Sequence, residues 1–438
     1  MSLPPIPELI CLAGAENPLS YELGGLHPVH LGDMFANGRY TIVRKLGHGG
    51  SSTIWLVSDA ETRTYASLKI ISASRSNTAT ELAVLQHLEA TYDAAEDGSQ
   101  HVPRMRDHFE HEGPNGRHLC IVGEVLGPSL SGAVAELFHE FWDNGCLPPA
   151  IAHRLCGQIT LALAYLHKRG VAHGDLHPGN VLLRLPGPLT SIEDVYRLFG
   201  SSVPHKYAIQ AGGPGSARAP SSPHRPEYIL NGLSAYPNLL RLCLQQPNIK
   251  LCDFSESYIP TLPLPPRFGT PRAFRPPDAL LAVPPHVTPE LDIWALGVLF
   301  HSLLSGTALF RYSSHGRNRA DDDELLTDIT RKLGQFPEPV WSMWDPERRR
   351  RIFGDGAKPL RTSAKLLGSM EHVLRPAERA SFEKLLRSML RYDAEKRVKV
   401  SRVLGSRWFL DNCRPVMGPG ERYEVEWLNK EFVKHFSE

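Results

Sequence analysis

"VAHGDLHPGNVLL", residues 171–183, is the stretch on which the reading of this chain turns. Asp175 and Asn180 stand five apart in an H-x-D-x-x-x-x-N spacing that begins at His173, and an apolar run follows. A carboxylate at the first position can accept or orient a hydroxyl proton, and an amide five residues on can offer an oxygen to Mg²⁺. That is the division of labour phosphoryl transfer requires. Two neighbours are unusual in it: Gly174 just before the Asp and His177 two places after it.

The residues that would complete such a site occur in order on either side. Upstream, "KLGHGGSSTIWL" (45–56) sets Gly47, Gly49 and Ser52 in a G-x-G-x-x-S arrangement between two strand-like runs. With Gly removing the side chain that would block them, a loop of this kind lets backbone amides approach phosphate oxygens, although alone it reads more readily as a Gly-rich hairpin turn. Lys69, in "ASLK" on the next strand, can reach the α- and β-phosphates, and Glu81 on an amphipathic helix can hold it by an ion pair. Downstream, Asp253 in "LCDFS" ends an apolar strand and offers a second metal ligand. Each charge alone reads as a solvated surface group; the five polar residues in this order are hard to obtain by chance.

Around these residues the chain is organised in alternating and helical patterns. "YTIVRKLG", "STIWLVSDAE" and "TYASLKIIS", from Tyr40 onward, predict a small antiparallel sheet. "TATELAVLQHLEAT" predicts a helix with Leu82, Leu85 and Leu88 on one face. A further strand, "HLCIVGEVLG" (118–127), leads into helical segments at 131–142 and 150–168. Residues 184–248 contain "AGGPGSARAPSSPHRP" (211–226) beside a short helix, "SIEDVYRLFG", and read as an insertion or linker rather than core. A strand, "NIKLCDF", a Pro-rich loop to about 277 and helices to about 410 complete the pattern. At 438 residues the chain has room for two lobes. With 48 basic and 47 acidic residues, total charge favours neither nucleic acid nor an anionic membrane. The longest apolar run, "IWALGVLFHSLL" (293–304), falls short of the ~20 residues of a membrane span. The first twenty residues lack a secretory pattern, and the seven Cys form no C-x-x-C pair, as expected of reduced intracellular thiols.

On these residues the chain resembles the eukaryotic protein kinases. "GGLHPVHLGDMFANGRYTIVRKLGHGGSSTIWLV" (24–57) is similar to the opening of the SR-protein kinases, which phosphorylate serines in Arg/Ser-rich proteins. "IVGEVLG" (121–127) is similar to that family's hinge, and a long spacer between the catalytic loop and the DFG-like strand is also shared. Asp278 in "FRPPDALL", Asp292 in "DIWALGVL" and Arg397 in "RYDAEKR" stand where kinases support the catalytic and peptide-binding loops. The resemblance implies an α+β, bilobal protein-kinase-like fold: an N-terminal extension (1–39), a small β-rich N-lobe (40–126), a larger mostly α-helical C-lobe (127–411) with the spacer at about 184–248, and a tail (412–438). It implies ATP and Mg²⁺ as cofactors. Gly47, Gly49, Ser52, Ile54, Lys69, Glu124, Leu126 and Leu182 would contact the nucleotide and Asn180 and Asp253 the metal, while Asp175, Lys69, Glu81 and His177 would carry catalysis. The implied partner is a protein substrate, Arg/Ser-rich splicing-type proteins included, phosphorylated on Ser or Thr by a cytoplasmic or nuclear monomer that binds no nucleic acid directly and no membrane.

The departures keep other readings open. Gly174 and His177 replace an Arg and a Lys usual in protein kinases, and "HGDLHPGN" is the wording of many kinases of small molecules. An aminoglycoside- or choline-type phosphotransferase is therefore one alternative, opposed by Asp278, Asp292 and Arg397. A catalytically weak pseudokinase scaffold is another, opposed by the retention of Lys69, Asp175 and Asp253. Where the resembling family builds its docking site, Asp321 to Glu324 are acidic but "PERRRRIF" (346–353) brings four arginines that would repel an Arg/Ser tract. Gly123 aligns with a position that closes the back of the adenine pocket, normally with a bulkier side chain.

Overall fold

A computed structural model describes residues 15–78, 80–131, 147–200, 204–205, 222–232, 237–263, 269–281, 287–311, 319–338, 340–354, 366–371 and 373–418. The chain forms two compact units. The first comprises Met1–Glu89, Pro103–Pro128 and Arg184–Leu242, and the second Ala90–Val102, Ser129–Leu183 and Cys243–Glu438.

In the first unit, period-2 sequences make one antiparallel sheet of β1 (Met34–Phe35), β2 (Tyr40–His48), β3 (Ser52–Asp59), β4 (Thr64–Ile71), β5 (Met105–Gly113) and β6 (Gly116–Gly123). The strands lie in the order β1-β2-β3-β4-β6-β5. Because side chains alternate, Tyr40, Ile42, Trp55, Val57, Ala66, Leu68, Ile70, Cys120 and Val122 gather on one face, where they form a core with Val29 and Phe35. The opposite face is left for a row of paired positions, Gly47, Ile54, Lys69 and Ile121, one from each of β2, β3, β4 and β6. Helix α1 (Thr80–Ala90) buries Glu81, Val84, Leu85 and Leu88. The expected stripe is therefore rotated: Leu82 is only half-buried, because a spacing of three drifts off the 3.6-residue turn while 81, 84/85 and 88 stay on it.

The inserted segment departs further from expectation, since its described parts as far as Leu242 belong to the first unit and carry core residues. The helix Ile192–Phe199 has a capping box in which the Ser191 hydroxyl accepts from Asp194 N and the Asp194 carboxylate accepts from Ser191 N. Arg44 of β2 donates to the carbonyls of Phe199 (2.6 Å) and Gly200 (2.8 Å) at its C-terminal end. Further on, Asn115 Nδ2 donates to the His224 carbonyl (2.8 Å), and Leu31 N donates to the Tyr228 hydroxyl (2.9 Å). Leu230, 2% exposed, completes the core face of the sheet, and Ile229 packs with Tyr21 and Leu26. The extension is likewise built in, through the buried ion pair of Glu16 with Lys45. Residues 206–221, most of the Gly/Pro/Ser tract, lie outside the described residues.

The second unit is mainly helical, with α2 (Pro149–Lys168), α3 (Pro289–Ser305), α4 (Arg319–Leu333), α5 (Pro346–Phe353) and α6 (Pro376–Met389). The expected helix at 131–142 falls almost wholly outside the described residues. Helix α3 opens with Pro289 at its first position and ends at Gly306, whose φ of 66° suits a left-handed cap. Its apolar run is a core helix, and among the described residues no helix is long and apolar enough to cross a membrane. Strands β7 (Val181–Arg184) and β8 (Ile249–Leu251) pair antiparallel, with Val181 opposite Leu251. This pairing places Asn180, just before β7, beside the residues that follow β8. The Cys among the described residues are free thiols.

The role of the inserted segment is open to a direct check. Leu230→Ala removes a buried side chain from the sheet's core and is expected to lower unfolding free energy by about 2–4 kcal/mol. Chemical denaturation measures this, and an unchanged midpoint would return residues 222–232 to linker status.

Candidate active site

On the first unit, Lys69 Nζ donates to both carboxylate oxygens of Glu81 at 2.8 Å. Strand β4 aims the lysine from the open face of the sheet, and Glu81 sits in the first turn of α1, where the helix N-terminus favours negative charge. The pair is largely buried, at 16% and 6% side-chain exposure, so neither partner can be removed without leaving a desolvated charge. In the turn between β2 and β3, Gly49 N donates to Ser52 O at 2.9 Å. A side chain on Gly47 would meet nothing within 4 Å, so the backbone of this loop is bare on that side. Ile54 lies beside Lys69 in the same row. The Glu124 carbonyl, just after β6, accepts from the Ser67 hydroxyl at 2.9 Å, and Leu126 begins the strand Leu126–Ser129.

On the second unit the geometry starts from a buried acid. Asp292, in the first turn of α3 and fully buried, accepts from His173 N (2.8 Å), Gly174 N (2.9 Å) and the His167 ring (2.9 Å). The two loop amides are thereby fixed and satisfied. His173 Nδ1 accepts from Asp175 N at 3.2 Å, so its other nitrogen carries the hydrogen that it gives to the Cys252 carbonyl at 3.1 Å. Burial pushes the His173 pKa down and favours this neutral ring.

The loop then presents Asp175. Asn180 Nδ2 donates to both the Asp175 carbonyl (2.9 Å) and its Oδ2 (3.0 Å). The other carboxylate oxygen, Oδ1, has no hydrogen-bond partner among the described residues. His177 folds back over the loop: its Nδ1 accepts from Gly179 N (3.0 Å), which leaves the hydrogen on Nε2, 3.5 Å from Asp175 Oδ2. A Cβ on Gly179 would lie 2.5 Å from His177 Cε1, so the H-P-G-N wording is one folded unit and not four independent choices.

Asp253 follows β8, where Cys252 N donates to the Asn180 carbonyl at 2.8 Å. Its φ of 65° is left-handed, a conformation that costs a non-glycine residue roughly 1 kcal/mol and tends to mark functional positions. With Asn180 Nδ2 occupied by Asp175, the amide oxygen is the atom left for a cation. Among the described residues no group of three or more His, Cys, Asp or Glu side chains is arranged to hold a metal by itself. A pair of oxygen ligands does fit Mg²⁺, which keeps waters and takes substrate phosphates to complete its shell. Leu182 of β7, two residues after Asn180 and opposite Lys250 of β8, is half-buried.

Two supports that sequence reading placed by resemblance also form. Arg397 donates to Asp278 at 2.6 Å and to the Tyr392 and Glu290 carbonyls, tying the short helix Pro277–Leu281 to the start of α3. Others had no signal in the sequence. His167 is the third donor to Asp292, and the Thr270 hydroxyl donates to the Gly174 carbonyl. Gly174, read as a missing Arg, is in fact a position where no side chain fits. Its φ is 78°, and a Cβ there would lie 2.3 Å from the Glu256 carbonyl oxygen and 3.0 Å from Val287 Cγ1.

The protein kinase domain model matches residues 40–194 and 237–409, and the chain belongs to that family. It is similar to the protein kinase dsk1 of Schizosaccharomyces pombe, at 37% identity over 172 residues, 38% of this chain and 30% of that protein. It is similar to the human SRSF protein kinase 3 at 34% over 171 residues, 38% of this chain and 29% of that protein. A serine/threonine protein kinase of Aspergillus fumigatus aligns at 27% over 402 residues, 89% of each chain. The first two alignments thus span less than a third of those relatives' lengths. The name of the human relative agrees with the resemblance to SR-protein kinases. The family model passes over residues 195–236, the part of the insertion that includes Leu230.

Restoring the usual residue at 174 should therefore do harm. Gly174→Arg is expected to reduce turnover at least about tenfold and to lower the melting temperature, because it sets a side chain against the Glu256 main chain in a left-handed conformation. Wild-type rates in that variant would show that the loop opens freely around position 174.

Proposed function

We propose that this chain is a serine/threonine protein kinase that moves the γ-phosphoryl of ATP to a hydroxyl on a protein. The observation that carries the reading is the loop held by Asp292, in which Asp175 keeps one carboxylate oxygen unpartnered while Asn180 fixes the other. Lys69, positioned by Glu81, orients the α- and β-phosphates, and the loop of Gly47, Gly49 and Ser52 covers them with backbone amides. Ile54, Glu124, Leu126 and Leu182 contact the base and ribose. Asn180 and Asp253 hold Mg²⁺, which when bound neutralises charge on the phosphates. Asp175 Oδ1 accepts the hydrogen of the attacking hydroxyl and points its lone pair in line with the leaving oxygen; positioning and electrostatics do most of the work in this chemistry. His177 takes the place of a Lys as a donor near the reacting groups, and its Nε2 hydrogen steadies Asp175. The supports at Asp278, Asp292 and Arg397 favour a protein over a small-molecule acceptor.

Arg/Ser-rich proteins are the substrate class the resemblance points to, in a cytoplasmic or nuclear setting. The acidic residues that would attract them are partly committed within the fold. Asp322 pairs with Arg272 (3.2 Å), and Asp323 accepts from Trp344 Nε1 (2.7 Å) and Arg348 Nε (2.7 Å). On α5, Arg350 and Arg351 are exposed. The attraction for an arginine tract is accordingly weak at this face, and a substrate with fewer arginines is accommodated as well.

Two measurements check the reading. Asp175→Ala should lower the rate of phosphoryl transfer by roughly a hundredfold or more while ATP affinity changes little, since the residue acts on the hydroxyl. A near wild-type rate would remove Asp175 as the positioning base. Reversing charge on α5, with Arg350→Glu and Arg351→Glu together, should raise kcat/KM for an Arg/Ser peptide about three- to tenfold at low salt, an effect that fades as ionic strength rises. No change would show that such substrates do not pass this helix.

A further inference from the structure

Where the extension and the insertion meet the sheet, histidines collect. His111 of β5 and His118 of β6 are direct cross-strand partners, and by alternation His118 continues the core-facing row of Cys120 and Val122. His27 of the extension lies against both, its ring centre 4.6 Å from that of His111 and 5.0 Å from that of His118. Phe35 stands edge-on to His27 at 5.7 Å and beside His111 at 4.5 Å. His27 and His118 are buried, and His111 is half-buried.

Two of these rings have no place for a second proton. His118 Nδ1 donates to the Ile71 carbonyl (2.9 Å), and its Nε2 is buried with no partner among the described residues. His27 Nδ1 is buried without a partner in the same way, set so close to Gly113 that a Cβ there would lie 2.3 Å from it. An imidazolium carries hydrogen on both nitrogens, so charging either ring leaves a buried N–H with no acceptor and sets like charges side by side. The acids that face the cluster are engaged elsewhere: Asp33 Oδ2 accepts from His30 N (2.7 Å), and Glu112 Oε1 accepts from Arg117 Nε (2.8 Å). Burial, with the neighbouring rings, lowers the His27 pKa to about 3, and burial lowers those of His111 and His118 as well. The joints to the insertion lie at the same place. Asn115 Nδ2 donates to the Leu26 and His224 carbonyls, its Oδ1 accepts from His224 Nδ1 (2.7 Å), and His30 Nε2 accepts from Glu227 N (2.9 Å).

We propose that this cluster is a proton-operated latch, which holds the extension and residues 224–230 of the insertion on the sheet while its rings are neutral and releases the two together in mildly acidic solution. The sign follows from burial: the released chain binds protons that the latched one does not. The latch is therefore at full strength above pH ~6.5, the value of a free histidine, and weakens steadily below it. Each ring that is charged only on release makes opening about tenfold easier per pH unit, and His27, His111 and His118 act together. Opening uncovers Trp55, Leu68 and Val122 beneath the strands that carry Ile54 and Lys69, so acidity controls the order of this sheet whatever reaction it serves.

The test follows amide hydrogen exchange of the full chain by mass spectrometry between about pH 7 and pH 5.5, corrected for the intrinsic pH dependence of exchange. The expected result is a parallel fall of roughly a hundredfold in the protection of 26–35 and 224–230, while that of α2 in the second unit changes less than about threefold. His118→Asn, which keeps a donor for the Ile71 carbonyl, and His111→Gln should each reduce the fall about fivefold or more. If His118→Asn does not fold, the wild-type profile and His111→Gln decide the matter. Flat protection across the range, an equal loss in α2, or a fall that the variants leave unaltered would overturn the inference.

Discussion

The buried carboxylate of Asp292 is the constraint on which the loop of Asp175 and Asn180 in the second unit depends. Placing an ionised acid beyond the reach of water costs several kcal/mol unless its oxygens are fully matched by donors. Here two are loop amides, those of His173 and Gly174, and the third is the His167 ring. The same bonds that make Asp292 tolerable fix the loop, and the loop fixes the rest. A left-handed turn at Gly174 lies against the Glu256 carbonyl, Asp175 follows with its amide on His173, and Asn180 closes back on Asp175. His177 then fits only because residue 179 is a glycine.

On the sheet unit the division of faces has a similar effect. Trp55, Leu68 and Val122 turn to one side, where Val29 and Phe35 of the extension and Leu230 of the insertion cover them. Those additions keep water from the apolar face, and at Gly232 the insertion also lies against the Gly47 main chain. Ile54, Lys69 and Gly123 are left on the opposite surface, where the Lys69 charge is balanced by Glu81. Lysine and glutamate held this way are preorganised: a ligand does not have to order them when it binds.

Much of this was legible in the sequence, for identifiable reasons. The alternation of β2, β3 and β4 and the spacing from Asp175 to Asn180 are local patterns, and local patterns survive in one dimension. Resemblance supplied Asp278, Asp292 and Arg397. What stayed hidden depended on contacts between distant residues. The composition of 211–226 suggested a linker, yet His224 is joined to Asn115, and Leu230 lies in a core begun two hundred residues earlier. Gly174 looked like the loss of an arginine because the Glu256 carbonyl that excludes any side chain is set by a turn far along the chain. Asp323 looked free to attract a basic substrate, and its partners Trp344 and Arg348 arrive from the next helical segments.

The central claim is that the residues gathered around Asp175 and Asp253 transfer phosphate to protein hydroxyls with Mg²⁺. Mass spectrometry of a Ser- and Thr-containing protein, incubated with the purified chain and ATP in the presence or absence of Mg²⁺, tests it most directly when Asp253→Asn is run alongside. The account predicts Ser or Thr phosphorylation by the wild type with Mg²⁺ only, reduced roughly a hundredfold or more in Asp253→Asn. Equal phosphorylation by the variant, or none by the folded wild type, would contradict it.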